Sequence, residues 1–225
     1  MQEQELTISV EDVGTVSAVR LGPAAPRACY VFAHGAGAGM NHTFMRATAT
    51  ELAELGIASL RFQFPYIERG SKRTDPPPLC HATVRAAVAT AAQRLPNVPL
   101  VAGGRSFGGR MSSQAQADAP LPGVRALVFL GFPLHPAGRP DITRGAHLAN
   151  VAIPMLFVQG TRDELAKLSL LEPLVQRLGP RATLHLLADA DHSFHVPAKT
   201  GRKDADVRRD ALQAVADWIE AVIAT

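Results

Sequence analysis

The chain reads as an α/β protein: a mainly parallel, twisted sheet of about seven to eight strands, with helices on both faces and no large cap. Three observations predict this. Short apolar runs alternate with longer amphipathic ones, and from residue 28 onward the order is mainly strand, helix, strand, helix. That rhythm implies right-handed βαβ crossovers and a parallel sheet covered on both sides. The first two strand-like runs have no helix between them, which fits an antiparallel hairpin at one edge. The chemically unusual residues fall directly after strand runs, where open parallel sheets bind their ligands.

Taken in order, the apolar runs over 7–10 and 17–21 form the edge hairpin, and the unbroken run Ala28-Cys29-Tyr30-Val31-Phe32-Ala33 is a fully buried strand. Runs over 58–64, 99–102, 126–130, 155–159 and 183–187 supply the remaining strands. Longer runs over 44–55, 80–95, 107–117, 168–178 and 206–224 supply the helices.

The bulk numbers narrow the classes. A chain of 225 residues suits a single domain over 1–225 with a sizeable core. Hydrophobic residues make up 47% of it, which argues against disorder. The net charge of +3, from 23 basic and 20 acidic residues, is too small for a dedicated nucleic-acid binder. The densest charged patch, 202–210, alternates in sign and reads as a solvated helix start. Cys29 and Cys80 are the two cysteines, with no C-x-x-C spacing, so no disulfide framework is expected. The start, Met1-Gln2-Glu3-Gln4-Glu5, has no signal-peptide apolar core, and no apolar run approaches the roughly 18–20 residues that span a bilayer. The expectation is a soluble, cytoplasmic protein that binds neither membrane nor nucleic acid.

Gly104-Arg105-Ser106-Phe107-Gly108 fits G-x-S-x-G, the pattern of a nucleophile elbow. It lies between a strand and a helix. A serine on such a tight turn is pushed out toward substrate, and side chains two residues before or after it would collide. An ordinary Gly-Ser loop fits the same five residues, so the other parts of the machinery must come from elsewhere in the chain.

After the 28–33 strand comes His34-Gly35-Ala36-Gly37-Ala38-Gly39. Small residues here let backbone N–H groups face a cleft. Acyl transfer needs two such donors for its oxyanion. The N–H of Phe107, directly after the serine, is one candidate and that of Ala36 the other. A plain tight turn and a phosphate cradle are the rival readings, although neither a Walker A motif nor G-x-G-x-x-G is present.

After the 155–159 strand comes Gly160-Thr161-Arg162-Asp163-Glu164. Asp163 is placed to orient a histidine ring, with Glu164 as its substitute; a helix N-cap is the competing role. After the 183–187 strand comes Asp189-Ala190-Asp191-His192-Ser193-Phe194-His195. His192 is the candidate general base and His195 the fallback. The spacing of these two histidines also invites a metal, but no third ligand or H-E-x-x-H framework accompanies them, so neither metal nor cofactor is expected. Ser106, Asp163 and His192 follow one another in the order Ser…Asp…His.

At these residues the chain resembles the α/β-hydrolase superfamily. It is most similar to the small, cap-less branch related to dienelactone hydrolases, and within it to a group of mostly uncharacterised bacterial hydrolases. That group also resembles a domain in a subunit of an animal histone-acetyltransferase complex. The segments that carry the likeness are 34–38, Leu60-Arg61-Phe62-Gln63-Phe64-Pro65-Tyr66, Phe132-Pro133-Leu134-His135-Pro136, 159–163 and 191–194. It covers roughly residues 28–224. The nucleophile departs from true dienelactone hydrolases, where it is cysteine, so their substrate is not carried over. The resemblance implies cleavage of a small ester or thioester through an acyl-enzyme. Ordinary imidazole titrates near pH 6.5, so activity is expected to fall below about pH 6–7. Tyr66, Arg105 and His135, with His147, are candidate pocket residues; Arg61, Arg69, Lys72 and Arg73, like Arg105, would favour an anionic substrate. A non-catalytic interaction module that keeps only the fold is the alternative.

Overall fold

The computed structural model describes residues 3–224. Eight strands form one sheet in the order β1-β2-β4-β3-β5-β6-β7-β8. They are β1 (Gln4–Val10), β2 (Gly14–Leu21), β3 (Ala28–Ala33), β4 (Ile57–Phe62), β5 (Leu100–Arg105), β6 (Val124–Leu130), β7 (Met155–Gly160) and β8 (Ala182–Leu187). The β1–β2 hairpin pairs antiparallel and joins β4 antiparallel; every pair from β4 through β8 is parallel. The helices are α1 (Thr43–Glu54), the short α2 (Pro65–Glu68), α3 (Pro77–Arg94), α4 (Phe107–Asp118), α5 (Leu168–Leu178) and α6 (Asp204–Ile223).

The two-residue period of a strand sorts the core into two layers. Cys29, Val31 and Ala33 face one side with Leu60, Ala102, Phe129 and Phe157, packed by Val84 of α3, Met111 of α4 and Leu171 of α5. Tyr30 and Phe32 face the other with Val101, Val128 and Val158, packed by Leu52 of α1 and Val215 of α6. Apolar side chains on both faces are what made these strands read as unbroken hydrophobic runs.

The segment between β6 and β7, 131–154, holds only a 3-10 helix over Thr143–Asn150, so the carboxyl ends of the strands carry no large cap. No helix among the described residues is long and apolar enough to cross a membrane.

Three boundaries differ from expectation in ways that matter for the site. The strand expected to stop at 102 runs on to Arg105, through Gly103 and Gly104. The strand expected over 58–64 ends at Phe62, and α2 follows with Pro65 in its first turn. The helix expected from 80 begins at Pro77, where the missing N–H of proline is not needed.

Candidate active site

Ser106 sits between the last residue of β5 and the first of α4, at φ 48° and ψ −114°. A non-glycine residue at that conformation costs about 1–3 kcal/mol and persists only where its surroundings enforce it. The Ser106 N–H donates to the Leu130 carbonyl at 3.2 Å, and its own carbonyl accepts from Arg110 N–H at 3.1 Å. The flanking glycines let β3 approach. A Cβ on Gly104 would lie 2.3 Å, and one on Gly108 2.4 Å, from the Ala33 carbonyl oxygen. The collision expected across the turn is therefore one with the neighbouring strand.

His192 Nε2 lies 2.8 Å from Ser106 Oγ, and His192 Nδ1 lies 2.6 Å from Asp163 Oδ2. Asp163 cannot donate when ionised, so Nδ1 carries the proton and Nε2 is left to accept from the serine hydroxyl. The Asp163 side chain is fully buried. Its Oδ2 also accepts from the Gln159 side-chain amide, and its Oδ1 accepts from Leu165 N–H at 2.7 Å. Each carboxylate oxygen is thus fixed before the histidine is counted. Asp163 does not cap a helix, because α5 starts at Leu168 with Lys167 as its N-cap. Glu164 is exposed. His195 points away to Asp204 at the start of α6, Nδ1 to Oδ2 2.9 Å, and that hydrogen bond holds its pKa above the ordinary value.

Phe107 opens α4, so its N–H has no carbonyl four residues back within the helix and sits at the positive end of the helix dipole. Ala36 lines the same cavity as Ser106. His34 sets the peptide between Gly35 and Ala36. Its Nε2 accepts from Phe64 N–H at 3.1 Å, which leaves Nδ1–H to donate to the Gly35 carbonyl at 2.8 Å. That carbonyl also accepts from Ala38 N–H at 3.2 Å. A trans peptide holds its N–H opposite its carbonyl, so the N–H of Ala36 is turned away from His34. Burial, opposed by the Gly35 bond, pushes the His34 pKa down to about 4, so the ring is neutral at ordinary pH. No role for His34 is legible in the sequence, because one of its two partners, the Phe64 N–H, lies 30 residues along the chain.

A cavity of about 380 Å³ opens over these groups, lined by Gly35, Ala36, Ala38, His42, Phe44, Met45, Arg105, Ser106, Leu165, His192 and Ser193. His42 is exposed and lines the cavity, and it also caps α1 by accepting from Phe44 N–H. Of the candidate pocket residues Tyr66, Arg105, His135 and His147, only Arg105 lines the cavity. Tyr66 is fully buried beneath the Gly-rich loop, its hydroxyl accepting from Gly37 N–H at 3.1 Å. His135 is buried behind the Asp163 loop, where its ring Nε2 accepts from Lys167 N–H and its main-chain N–H donates to the Leu165 carbonyl. His147 bonds Ser113 on α4, Arg61 is fully buried against Glu3 and the Met40 carbonyl, and Arg69 pairs with Asp75. Lys72 and Arg73 are exposed outside the cavity lining.

A family model described as an alpha/beta hydrolase domain matches residues 26–220. The fold is similar to a lidless α/β serine hydrolase of Xanthomonas campestris: TM-score 0.75, 24% identity, covering 97% of this chain and 95% of that one. It is similar to an α/β serine hydrolase homologue of Coxiella burnetii, at TM-score 0.76 and 21% identity over 95% of this chain and 98% of the other. A dienelactone hydrolase of Anabaena variabilis superposes at TM-score 0.75 and 23% identity over 98% and 96%. At these identities the likeness is one of fold.

Proposed function

The chain belongs to the α/β-hydrolase domain family, and from that premise we propose that it is a serine hydrolase of the carboxylesterase type, cleaving a small ester or thioester through an acyl-enzyme. The observation that carries the reading is the hydrogen-bonded line from Ser106 Oγ through the His192 ring to buried Asp163 Oδ2, at 2.8 Å and 2.6 Å, with Ser106 and His192 lining the cavity.

In this reading His192 Nε2 takes the Ser106 proton as Oγ bonds to the carbonyl carbon. The oxyanion that forms is held by the N–H groups of Phe107 and Ala36. The imidazolium, steadied by Asp163, gives its proton to the departing alcohol or thiol as that bond breaks. Water then enters, loses a proton to Nε2 and attacks the acyl-enzyme; the proton returns to Ser106 as the acid leaves. No step needs a metal or cofactor. Buried Asp163, already fixed by Gln159 and Leu165 N–H, keeps the proton on Nδ1 and the ring in one orientation through the cycle.

The dienelactone-hydrolase-like branch is the placement within the family that we favour, on the short 131–154 segment and the absence of a helical cap over the cavity. Serine at 106 in place of cysteine keeps the substrate class open to ordinary esters.

A fluorophosphonate probe tests the reading. The parent protein is expected to take up one equivalent per chain and Ser106→Ala none, with kcat on a turned-over ester down by about 10³–10⁶ in the variant. A parent chain that does not react, or esterase activity that survives Ser106→Ala, would overturn it.

A further inference from the structure

Arg105 directly precedes the elbow serine, and its guanidinium is aimed at the histidine. Nη1 donates to the Leu130 carbonyl at 3.0 Å, and Nη2 donates to the main-chain carbonyl of His192. The Leu130 carbonyl is the same one that accepts the Ser106 N–H. The cation lies over two rings, 5.0 Å from the centre of Phe44 and 5.4 Å from that of Phe194. Phe44 comes from α1; Phe194 belongs to the histidine's own loop and is held at φ 63°. Gly131 leaves the room that the fork needs: a Cβ there would lie 2.4 Å from Nη1.

We infer that Arg105 is a positioning residue that fixes the backbone of His192 to the elbow, so that base and nucleophile hold one register. The connection closes a ring. From Ser106 it runs through the side chains to His192, and from the His192 carbonyl it returns through the Arg105 fork and Leu130 to the Ser106 N–H. Among the described residues the other hydrogen bond between the elbow and the 189–195 loop is that between Ser106 and His192, the very contact that must break and reform in each step. Only arginine suits the place. Its planar fork reaches two carbonyls at once and stacks on rings, whereas lysine offers a point charge on a flexible stem. Both terminal nitrogens are committed to the backbone, so recruiting an anionic substrate is not the role that this geometry serves.

The inference rests on the serine-hydrolase reading, and one experiment separates the two. Parent, Ser106→Ala, Arg105→Lys and Arg105→Gln are titrated with a fluorophosphonate, and steady-state constants are expressed per reactive site. Labelling of the parent and not of Ser106→Ala sustains the underlying reading; its failure there ends both. Given that labelling, Arg105→Gln is expected to lose about tenfold to a hundredfold in kcat per titrated site, as a small misplacement of the base does, with KM within about twofold. Arg105→Lys is expected to fall between it and the parent. A merely structural arginine would lower the number of titratable sites and leave kcat per site alone; that result, or KM carrying the loss, overturns the inference. Should Arg105→Gln fail to fold, Phe44→Leu removes one ring face and decides the matter: an unchanged kcat per site counts against the clamp, and a several-fold fall with KM unchanged supports it.

Discussion

Gly160 passes so close to Ala190 that a Cβ on it would stand 2.3 Å from the Ala190 carbonyl oxygen. Gly160 ends β7 three residues before Asp163, and Ala190 lies two residues before His192. The closeness of these backbones is what brings the carboxylate within reach of the ring. Arg162 N–H donates to the same Ala190 carbonyl at 2.9 Å, so the approach is bonded as well as tight.

Gly160→Ala is therefore expected to push the 189–192 loop away from β7. The overlap is with backbone, which cannot swing aside, so a cost of about 1–3 kcal/mol in stability is expected. Catalysis should suffer beyond that loss, because the Asp163–His192 distance grows. Urea unfolding together with kcat per titrated site measures both parts; a variant with parental kcat per site would show that the loops tolerate separation.

Asp163→Asn keeps the size of the side chain and, through its remaining carbonyl oxygen, one acceptor. It removes the charge that opposes the imidazolium and the acceptor that selects the Nδ1–H tautomer. A fall of about 10³–10⁴ in kcat is expected, with a far-ultraviolet spectrum matching the parent. Near-parental kcat would return Asp163 to a purely structural role.

The candidate triad was legible because each member follows a strand, and a strand end is readable from an apolar run stopping at a polar loop. Its surroundings were less so. The apolar run that predicts β5 ends at 102, whereas Gly103 and Gly104 belong to the strand as well: a Cβ on Gly103 would stand 1.9 Å from the Val128 carbonyl oxygen. The direction of Arg105 depends on Phe44, Leu130 and His192, which meet only in the folded chain. Tyr66, in the short α2, and His135, in a loop, both follow strands, as pocket residues do, yet both turn inward to hold other loops. Sequence position fixes which end of the sheet a residue reaches; tertiary packing decides whether its side chain enters the cavity.

Stability is expected to fall on mild acidification. Burial, opposed by the Gly35 bond, holds the folded His34 pKa at about 4 against 6.5 for an ordinary imidazole. Between those values the unfolded chain binds the extra proton, so the balance shifts toward unfolding as pH drops through 6.5 and the loss is complete below about 4. At pH 5 this one group accounts for about 2 kcal/mol. His147, also lowered to about 4 by burial and then by Arg110, acts in the same direction. His195 acts oppositely: its pKa is raised by Asp204, so its contribution is present at low pH and disappears as pH rises through the folded value. Urea midpoints at pH 7.5 and pH 5 for the parent and His34→Gln test the balance. A parental pH slope retained in the variant would remove His34 from the account.

The cavity sets the last expectation. At about 380 Å³ it is near the lower end of small-molecule sites, and Phe44, Met45 and Leu165 give it apolar walls. Arg105, the arginine in its lining, has both terminal nitrogens bound to backbone carbonyls. A short, uncharged acyl group fits this description better than a long or anionic one. Across p-nitrophenyl esters, kcat/KM is expected to peak at short acyl chains and to fall for decanoate and for a succinyl half-ester. Met45 is buried and reaches the cavity wall, so Met45→Ala should lengthen the preferred chain. Each methylene newly accommodated is worth about 0.8 kcal/mol, or about fourfold in kcat/KM. A parent enzyme that prefers the succinyl ester would mean that a cation other than the committed Arg105 reaches the substrate. A Met45→Ala profile identical to the parental one would place the acyl group elsewhere along the cleft.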